Sequence, residues 1–443
     1  MITIPFGIVW YVSYASTLVS PFYRRGNWVV IFIFFVIYVL FNRFHNTFSI
    51  HISGKSDTIY GQSLCTALTN FIMYLLTFIL TQTLPNPLPL LLSFVGEIIL
   101  IFLFTLISYA VYLKICPPYR SIIVYGTKPR VQDLINDYDM GKRFKTEMIL
   151  SVEECLANLS LIDNAEAVFL TDVHSHERNI IIKYCISHQK KAFVIPRIGD
   201  VIMSGARRAH MFNLPILEVE SYAPSLIYLI AKRFFDIVLS LTALILLSPL
   251  FAAVSVVIKL TDGGPVFYKQ TRLTIGGKKF TILKFRSMRI DAERDGKARL
   301  SQGENDPRIT PIGHFLRRFR LDELPQIICI LKGDMSICGP RPERPEIAAE
   351  YEKRLPEFRF RLQAKAGLTG YAQVYGKYNT SPYDKLLMDL MYIAHPGILQ
   401  DANIILATVK ILFQPESTEG FTDIQLRDTF ERTGSSQSEN DPK

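Results

Sequence analysis

Apolar and polar positions divide the chain into three patterns. Four long apolar runs come first: Pro5–Ser20, Trp28–Phe41, Cys65–Thr81 and Leu88–Leu113. Each approaches or exceeds the about 17–25 residues a membrane-spanning helix needs, the second only with its flanks. They predict a four-helix membrane bundle over residues 1–115. From about Tyr119 the apolar stretches shorten. Ser121–Tyr125 is a β-branched run closed by Gly126, Val131–Tyr138 has helical spacing, and Ala167–Leu170 and Ala192–Ile195 read as further buried strands. Strands alternating with helices predict a parallel, doubly wound, Rossmann-like α/β domain over residues 119–225.

A fifth apolar run, Ile237–Ile258, opens the third pattern and carries Ser248-Pro249 at its middle. Proline there removes a backbone hydrogen bond and clashes with the Ile245 carbonyl, so the helix should kink, with the Ser248 hydroxyl available to the freed carbonyl. Lys232, Arg233 and Lys259 flank both ends, and cationic flanks favour the cytoplasm. A re-entrant helix over residues 237–259 satisfies both demands, although proline kinks also occur in true spans. The remainder reads as mainly helical, with a strand at Thr281–Phe285, glycine-punctuated turns at Gly367–Gly376, and helices at Tyr383–Ile393 and Asp401–Phe413. Leu355–Leu362 alternates basic and apolar residues and reads as a segment on the membrane surface. Residues 414–443 are polar, as in a disordered tail.

Charge refines this picture. The 443-residue chain is 49% hydrophobic with a net charge of +9, so it should meet both lipid and phosphate groups. Its six cysteines lack metal-binding spacing and read as reduced, buried thiols. Arg43 and Lys55, and Lys114, Arg120, Lys128 and Arg130 after the fourth run, place the second loop and the soluble part on the cytoplasmic face. Arg24 and Arg25 in the first loop oppose that orientation. The first run lacks a basic leader and a small-residue cleavage site, so it is not read as a secretory signal. Glu97, inside the fourth run, is either a functional intramembrane carboxylate or a helix-packing residue.

The densest chemistry lies in Pro311–Pro342, PIGHFLRRFRLDELPQIICILKGDMSICGPRP. Proline is tolerated only in the first turn of a helix, so Pro325 predicts a helix starting near Leu321 or Asp322. A helix N-terminus would keep Asp322 ionised and welcome a phosphate beside it. Such an aspartate could attack phosphorus or hold a metal. Adjacent helical residues point about 100° apart, so Asp322 and Glu323 should have different jobs. The bland alternative is an acidic pair that only complements a helix dipole. Upstream, residues 263–289 carry Lys269, Arg272, Lys278, Lys279, Lys284, Arg286 and Arg289, donors suited to phosphate oxygens or simply a basic face for anionic lipid. Nucleic acid is not expected, because no binding motif accompanies the charge. In the middle domain IIVYGTKPR supplies one glycine where a dinucleotide fingerprint needs three, so no cofactor is expected there.

In order along about residues 231–413, KRFFD, Ser248-Pro249, GGPVFYKQTR, KFRSM, LDELPQ, KGDMS, GPRP and GLTGYAQV resemble the bacterial sugar transferases, the polyprenyl-phosphate sugar-1-phosphate transferases. The upstream half resembles that family's long form in exopolysaccharide and O-antigen pathways. The resemblance implies transfer of a sugar-1-phosphate from a UDP-sugar to undecaprenyl phosphate at the bacterial inner membrane, releasing UMP. It implies that Asp322 is the nucleophile forming a covalent phospho-sugar, that Glu323 acts with it, and that both face Mg2+. By motif position Arg317 and Arg341 would bind phosphate, and Lys284, Arg286 and Arg272 the nucleotide-sugar side. Three positions depart from the family's pattern. Arg320 stands where a small hydroxyl residue is usual, Ala366 replaces a proline, and Leu273-Thr274 interrupts an arginine-glycine step. The rival readings are a membrane-tethered nucleotide-sugar epimerase or dehydratase, whose glycine triad and Tyr-x-x-x-Lys pair are missing from the middle domain, and a non-catalytic assembly scaffold. The transferred sugar and the oligomeric state stay open, a homo-oligomer included.

Overall fold

The computed structural model describes residues 1–22, 25–48, 54–127, 131, 135, 140–211, 213–222, 224–289, 306, 308–376 and 380–412. Arg24, Lys128, Arg130, most of the Val131–Tyr138 helix and the 414–443 tail lie outside these residues. The chain forms two compact units, Met1–Ile195 and Pro196–Lys443.

In the first unit the last three apolar runs are helical throughout and the first in part. The first is helical over Thr3–Val9 (α1) and, as a π-helical turn, over Trp10–Tyr14. At 1.5 Å per residue this is about 18 Å, short of the about 30 Å hydrocarbon core, so the predicted Pro5–Ser20 span is only partly helical. Helices α2 (Gly26–Phe44), α3 (Lys55–Thr81) and α4 (Leu88–Ile115) are long and apolar enough to cross a membrane. Their inner faces meet α1 around Phe6, Trp10, Phe34 and Met73. Glu97 is fully buried in α4 and accepts a hydrogen bond from the Asn70 amide of α3.

Beyond α4, strands β1 (Tyr119–Tyr125), β2 (Phe144–Ser151), β3 (Ala167–Thr171) and β4 (Lys191–Val194) form a parallel sheet in the order β2-β1-β3-β4. Strand β2 is not evident from the sequence because Lys145, Thr146 and Glu147 interrupt its apolar run. Helices α5 (Val152–Ala157) and α6 (Ser175–Ser187) complete the described part of this layer. A Cβ on Gly126 would lie 2.3 Å from the Asp172 carbonyl oxygen, so close packing on the next loop already requires this glycine.

The second unit begins with α7 (Ile198–Ser204) and an antiparallel hairpin, β5 (Arg207–Met211) and β6 (Leu214–Glu218). Helix α8 then runs through Leu226–Asp262, 37 residues with Pro249 inside it. The Ser248 hydroxyl donates to the Ile245 carbonyl at 2.8 Å, the role its position beside proline suggests. Much of α8 is exposed apolar surface, Ile245 at 64% and Leu246 at 72%, but both of its arms are anchored in the same unit. On the first arm the Arg233 guanidinium donates to the Ile330 and Leu331 carbonyls at 2.6 and 2.8 Å. Asp236 accepts from the Ile337 N–H at 2.9 Å, and Lys232 pairs with Asp401 at 2.7 Å. On the second arm Val254 and Ile258 pack with Phe285 and Leu316.

The hairpin β7 (Phe267–Leu273) and β8 (Lys279–Phe285) follows, turning at Gly276 and Gly277, both at positive φ. Then come α9 (Pro311–Arg318), a 3-10 turn at Leu321–Glu323, α10 (Gln326–Lys332) and β9 (Ser336–Cys338). The described part of the chain ends in α11 (Pro345–Arg354), a 3-10 segment at Pro356–Gln363, β10 (Gly367–Thr369), α12 (Tyr371–Tyr375), α13 (Pro382–Ala394) and α14 (Ile398–Leu412). β9 and β10 pair in parallel, and their glycines make that approach sterically possible. A Cβ on Gly339 would fall 2.2 Å from the Lys365 carbonyl oxygen, and one on Gly367 2.2 Å from the Gly339 nitrogen. Contrary to the surface reading of Leu355–Leu362, Phe358 and Arg361 are buried, at 2% and 3% exposed, in the core around Leu386, Leu390 and Tyr392. Alternation of basic and apolar residues is misleading here because the arginine is paired inside the fold.

Candidate active site

The acidic pair sits in a turn, not at the start of an α-helix. Arg320 adopts the left-handed conformation (φ 53°), which ends the α9 stretch and re-aims the chain into the Leu321–Glu323 turn. Pro325 caps α10, which starts only at Gln326. The helix start expected near Asp322 is therefore misplaced by about one turn, since a 3-10 turn accommodates a following proline equally well. Leu321 and Leu324 pack toward the α8 core while Asp322 is buried beside them. Arg233 satisfies the carbonyls at the far end of α10, so the first arm of α8 directly braces the helix that follows the pair.

Three further elements bring cations to this turn. Strand β8 delivers Lys284, whose ammonium donates to Glu323 Oε1 at 2.8 Å. The loop after β9 delivers Arg341, which donates to the same oxygen at 2.9 Å. Helix α9 delivers Arg317, whose Nε donates to the Ser287 hydroxyl at 3.0 Å. The two carboxylates thus differ in surroundings. Among the described residues no hydrogen bond or ion pair ends on the Asp322 side chain. Burial, then the neighbouring Glu323 charge, raises the Asp322 carboxyl above its ordinary value, against the pull of Lys284, Arg317 and Arg341. Burial would also raise Glu323, but Lys284 and Arg341 hold it well below the usual carboxylate range. Glu323 is the anion that Lys284 and Arg341 hold, whereas among the described residues Asp322 feels the same cations without a hydrogen bond to them. The helix-dipole argument for an ionised Asp322 is replaced by an opposition between burial and nearby cations.

The other predicted residues fall around this centre. Arg286 is buried just past the end of β8, its backbone N–H on the Val266 carbonyl at 3.0 Å. Arg272 donates through Nη1 to the Pro342 carbonyl at 3.0 Å and through Nε and Nη2 to Gln270 Oε1, bracing the loop that carries Arg341. Ser248 and Pro249 lie in α8. Sequence reasoning misses Arg361 and Asp389, takes Arg233 as a flank of an apolar run, and includes Asp236 and Ser287 only inside the KRFFD and KFRSM motifs, with no role of their own. Arg361 is discoverable only through its burial; KRFFD is visible as a motif without its anchoring role.

Asp322 and Glu323 suit a hard divalent cation held by one or two carboxylates with the remaining ligands from phosphate and water. Among the described residues there is no cluster of three or more His, Cys, Asp or Glu that could form an all-protein metal cage. Among the described residues these two carboxylates would hold such an ion together with oxygens from outside the protein.

A carboxylate pair thus lies among lysine and arginine side chains, chemistry suited to anionic oxygens, on a unit that also carries a helix long and apolar enough to cross a membrane. The bacterial sugar transferase profile matches residues 227–415. An exopolysaccharide production protein of Rhizobium leguminosarum bv. phaseoli is 41% identical over 192 residues, covering 41% of this chain and 94% of that protein. The chain belongs to the bacterial sugar transferase family. It is also similar to a UDP-N-acetylgalactosamine-undecaprenyl-phosphate N-acetylgalactosaminephosphotransferase of Aeromonas hydrophila, 37% identical over 221 residues, 49% of this chain and 51% of the relative. A UDP-glucose:undecaprenyl-phosphate glucose-1-phosphate transferase of Escherichia coli (strain K12) is 36% identical over 221 residues, 49% and 47% of the two chains. The match thus spans about half the length of these last two relatives.

Proposed function

We propose that the protein transfers a sugar-1-phosphate from a UDP-sugar to undecaprenyl phosphate at the cytoplasmic face of the bacterial inner membrane, the initiating step of a surface polysaccharide. The observation that carries this reading is the division of labour at the acidic pair. Glu323 is committed to Lys284 and Arg341, while the Asp322 carboxylate stands beside the same cations without a hydrogen-bond partner among the described residues. Ionised Asp322 attacks the sugar-side phosphorus of the donor. An Oδ–P bond forms, the P–O bond to the uridine-side phosphate breaks, and UMP leaves with the bridging oxygen. A phosphate oxygen of the polyprenyl acceptor then attacks the same phosphorus and releases the Asp322 carboxylate.

Lys284, Arg317 and Arg341 offset the charge that gathers on the phosphate oxygens, and because they are already in place little reorganisation is needed. Mg2+ held by Asp322, Glu323 and the diphosphate would supply further charge neutralisation. Arg286 lies on the donor side in this reading, and Arg272 contributes by holding the Arg341 loop. The re-entrant course of α8 is supported by its two anchored arms, since residues before and after Pro249 pack on one soluble unit and therefore belong on one side of the bilayer. The parallel sheet of the first unit is read as a Rossmann-like domain without a cofactor, the glycine that follows β1, Gly126, being accounted for by packing on Asp172. The direct test is UMP release from a panel of UDP-sugars in membranes containing undecaprenyl phosphate, with and without magnesium, followed by trapping of labelled sugar-phosphate on Asp322. Release without label on that residue would remove the two-step route, and no release from any donor would remove the reaction.

A further inference from the structure

Arg361 lies outside the acidic pair's immediate neighbourhood and carries no role in the reaction above. Its side chain is 4% exposed, sits in the 3-10 segment Pro356–Gln363, and points at the loop after β9. Nη2 donates to the Arg341 carbonyl at 2.8 Å and lies 2.7 Å from Asp389 Oδ2. Nη1 lies 3.6 Å from Glu343 Oε1. Asp389, on α13, is wholly buried. The Arg272 contact to the Pro342 carbonyl and the Leu273 N–H on the Glu343 carbonyl, each 3.0 Å, grip the next two residues of the same loop. Successive carbonyls at positions 341, 342 and 343 are therefore each held from outside the loop.

The backbone so held carries the guanidinium that meets Glu323. The Arg341 side chain is 42% exposed and its guanidinium donates to Glu323 Oε1 at 2.9 Å, a contact whose reach depends on where its Cα is held. A buried ion pair such as Arg361–Asp389 is a poor source of stability compared with apolar packing of the same volume. Its distinguishing product is a guanidinium aimed at one carbonyl. We propose that Arg361, oriented by Asp389, is a positioning residue that fixes the Arg341 backbone so that its guanidinium meets Glu323 and the substrate phosphate. Burial pushes Asp389 up to about 6 against the pull of Arg361. The proposal rests on the sugar-1-phosphate transfer reading above.

The test is a double-mutant cycle on the full-length protein in nanodiscs, reading kcat/KM for undecaprenyl phosphate from UMP release. Arg341→Ala and Arg361→Gln are each expected to lower it about 10- to 100-fold, and the double variant to lose no more than about 3-fold beyond Arg341→Ala alone. If Arg361 merely supports the core, the two losses multiply, and that outcome overturns the proposal. An Arg361→Gln variant within about 2-fold of wild type overturns it equally. Should Arg361→Gln fail to fold, Asp389→Asn, which keeps the side-chain shape, takes its place in the same cycle: non-multiplying losses support the positioning role, and multiplying losses or near-wild-type activity overturn it. Wild-type protein inactive with every donor would defeat the transfer reading itself, whereas an active wild type with multiplicative losses defeats only the positioning role.

Discussion

Replacing Lys284 by Met removes the ammonium but keeps most of the stem, and Arg341 remains as a donor to Glu323 Oε1. Lys284 and Glu323 are 18% and 14% exposed at 2.8 Å, so their pairing is weakly screened. Breaking a buried pair by removing one partner costs about 3–5 kcal/mol, and because Arg341 stays, the lower end, about 3 kcal/mol, applies. For a unit of about 150–250 residues each kcal/mol moves the melting temperature by about 2–4 °C, so Lys284→Met should melt about 6–12 °C lower at neutral pH. The pH dependence has a definite sign. Glu323 is depressed in the fold, so its contribution is present above its unfolded value and is lost as pH falls through the folded one. Removing Lys284 raises the folded value, so the gap between variant and wild type must narrow as pH drops below 4.5, the ordinary glutamate value. The assay is thermal unfolding in detergent across pH, beside UMP release. A variant melting within about a degree of wild type, or a gap that widens toward acid, would refute the assignment of Glu323 as the anion that Lys284 holds.

Asp322→Asn should abolish turnover by at least about a thousandfold, consistent with loss of a nucleophile, while melting at or above wild type because a carboxylate that burial disfavours has been neutralised. The raised Asp322 carboxyl also predicts that kcat/KM falls as pH drops, with its acid limb above the 3.8 of an ordinary aspartate; a limb at or below that value would contradict the burial argument. Gly339→Ala should cost more than about 3 kcal/mol or prevent folding, since its Cβ would lie 2.2 Å from a backbone carbonyl oxygen that cannot rotate away, and a normal melting curve would show that the β9–β10 approach is looser. Single cysteines at positions 227 and 261 should both react only with reagent on the cytoplasmic side; labelling of one from the opposite face would make α8 a simple span.

What the linear order of residues determined was the sorting of the chain into lipid and water and the identity of its chemistry. Long apolar runs, a proline beside serine, β-branched stretches closed by glycine, and an Asp-Glu pair among arginines all act locally, within a helical turn or a strand, so Ser248 on the Ile245 carbonyl and strands β1 and β3 were legible, whereas β4, expected as a buried strand, forms at the sheet edge with its residues exposed. Local pattern misled where a nearby residue could be satisfied in more than one way. Pro325 permits a 3-10 turn as readily as a helix start, and the arginine alternation of residues 355–362 suits a membrane surface as readily as a core. Only the folded chain decides such cases, because they turn on partners far away in sequence: Lys284 and Arg341 lie 39 and 18 residues from Glu323, and Asp389 reaches the loop of Arg341 through Arg361. Charge could be counted from composition, but which carboxylate is committed to cations and which is left uncommitted depends on burial and distance, and those are properties of packing.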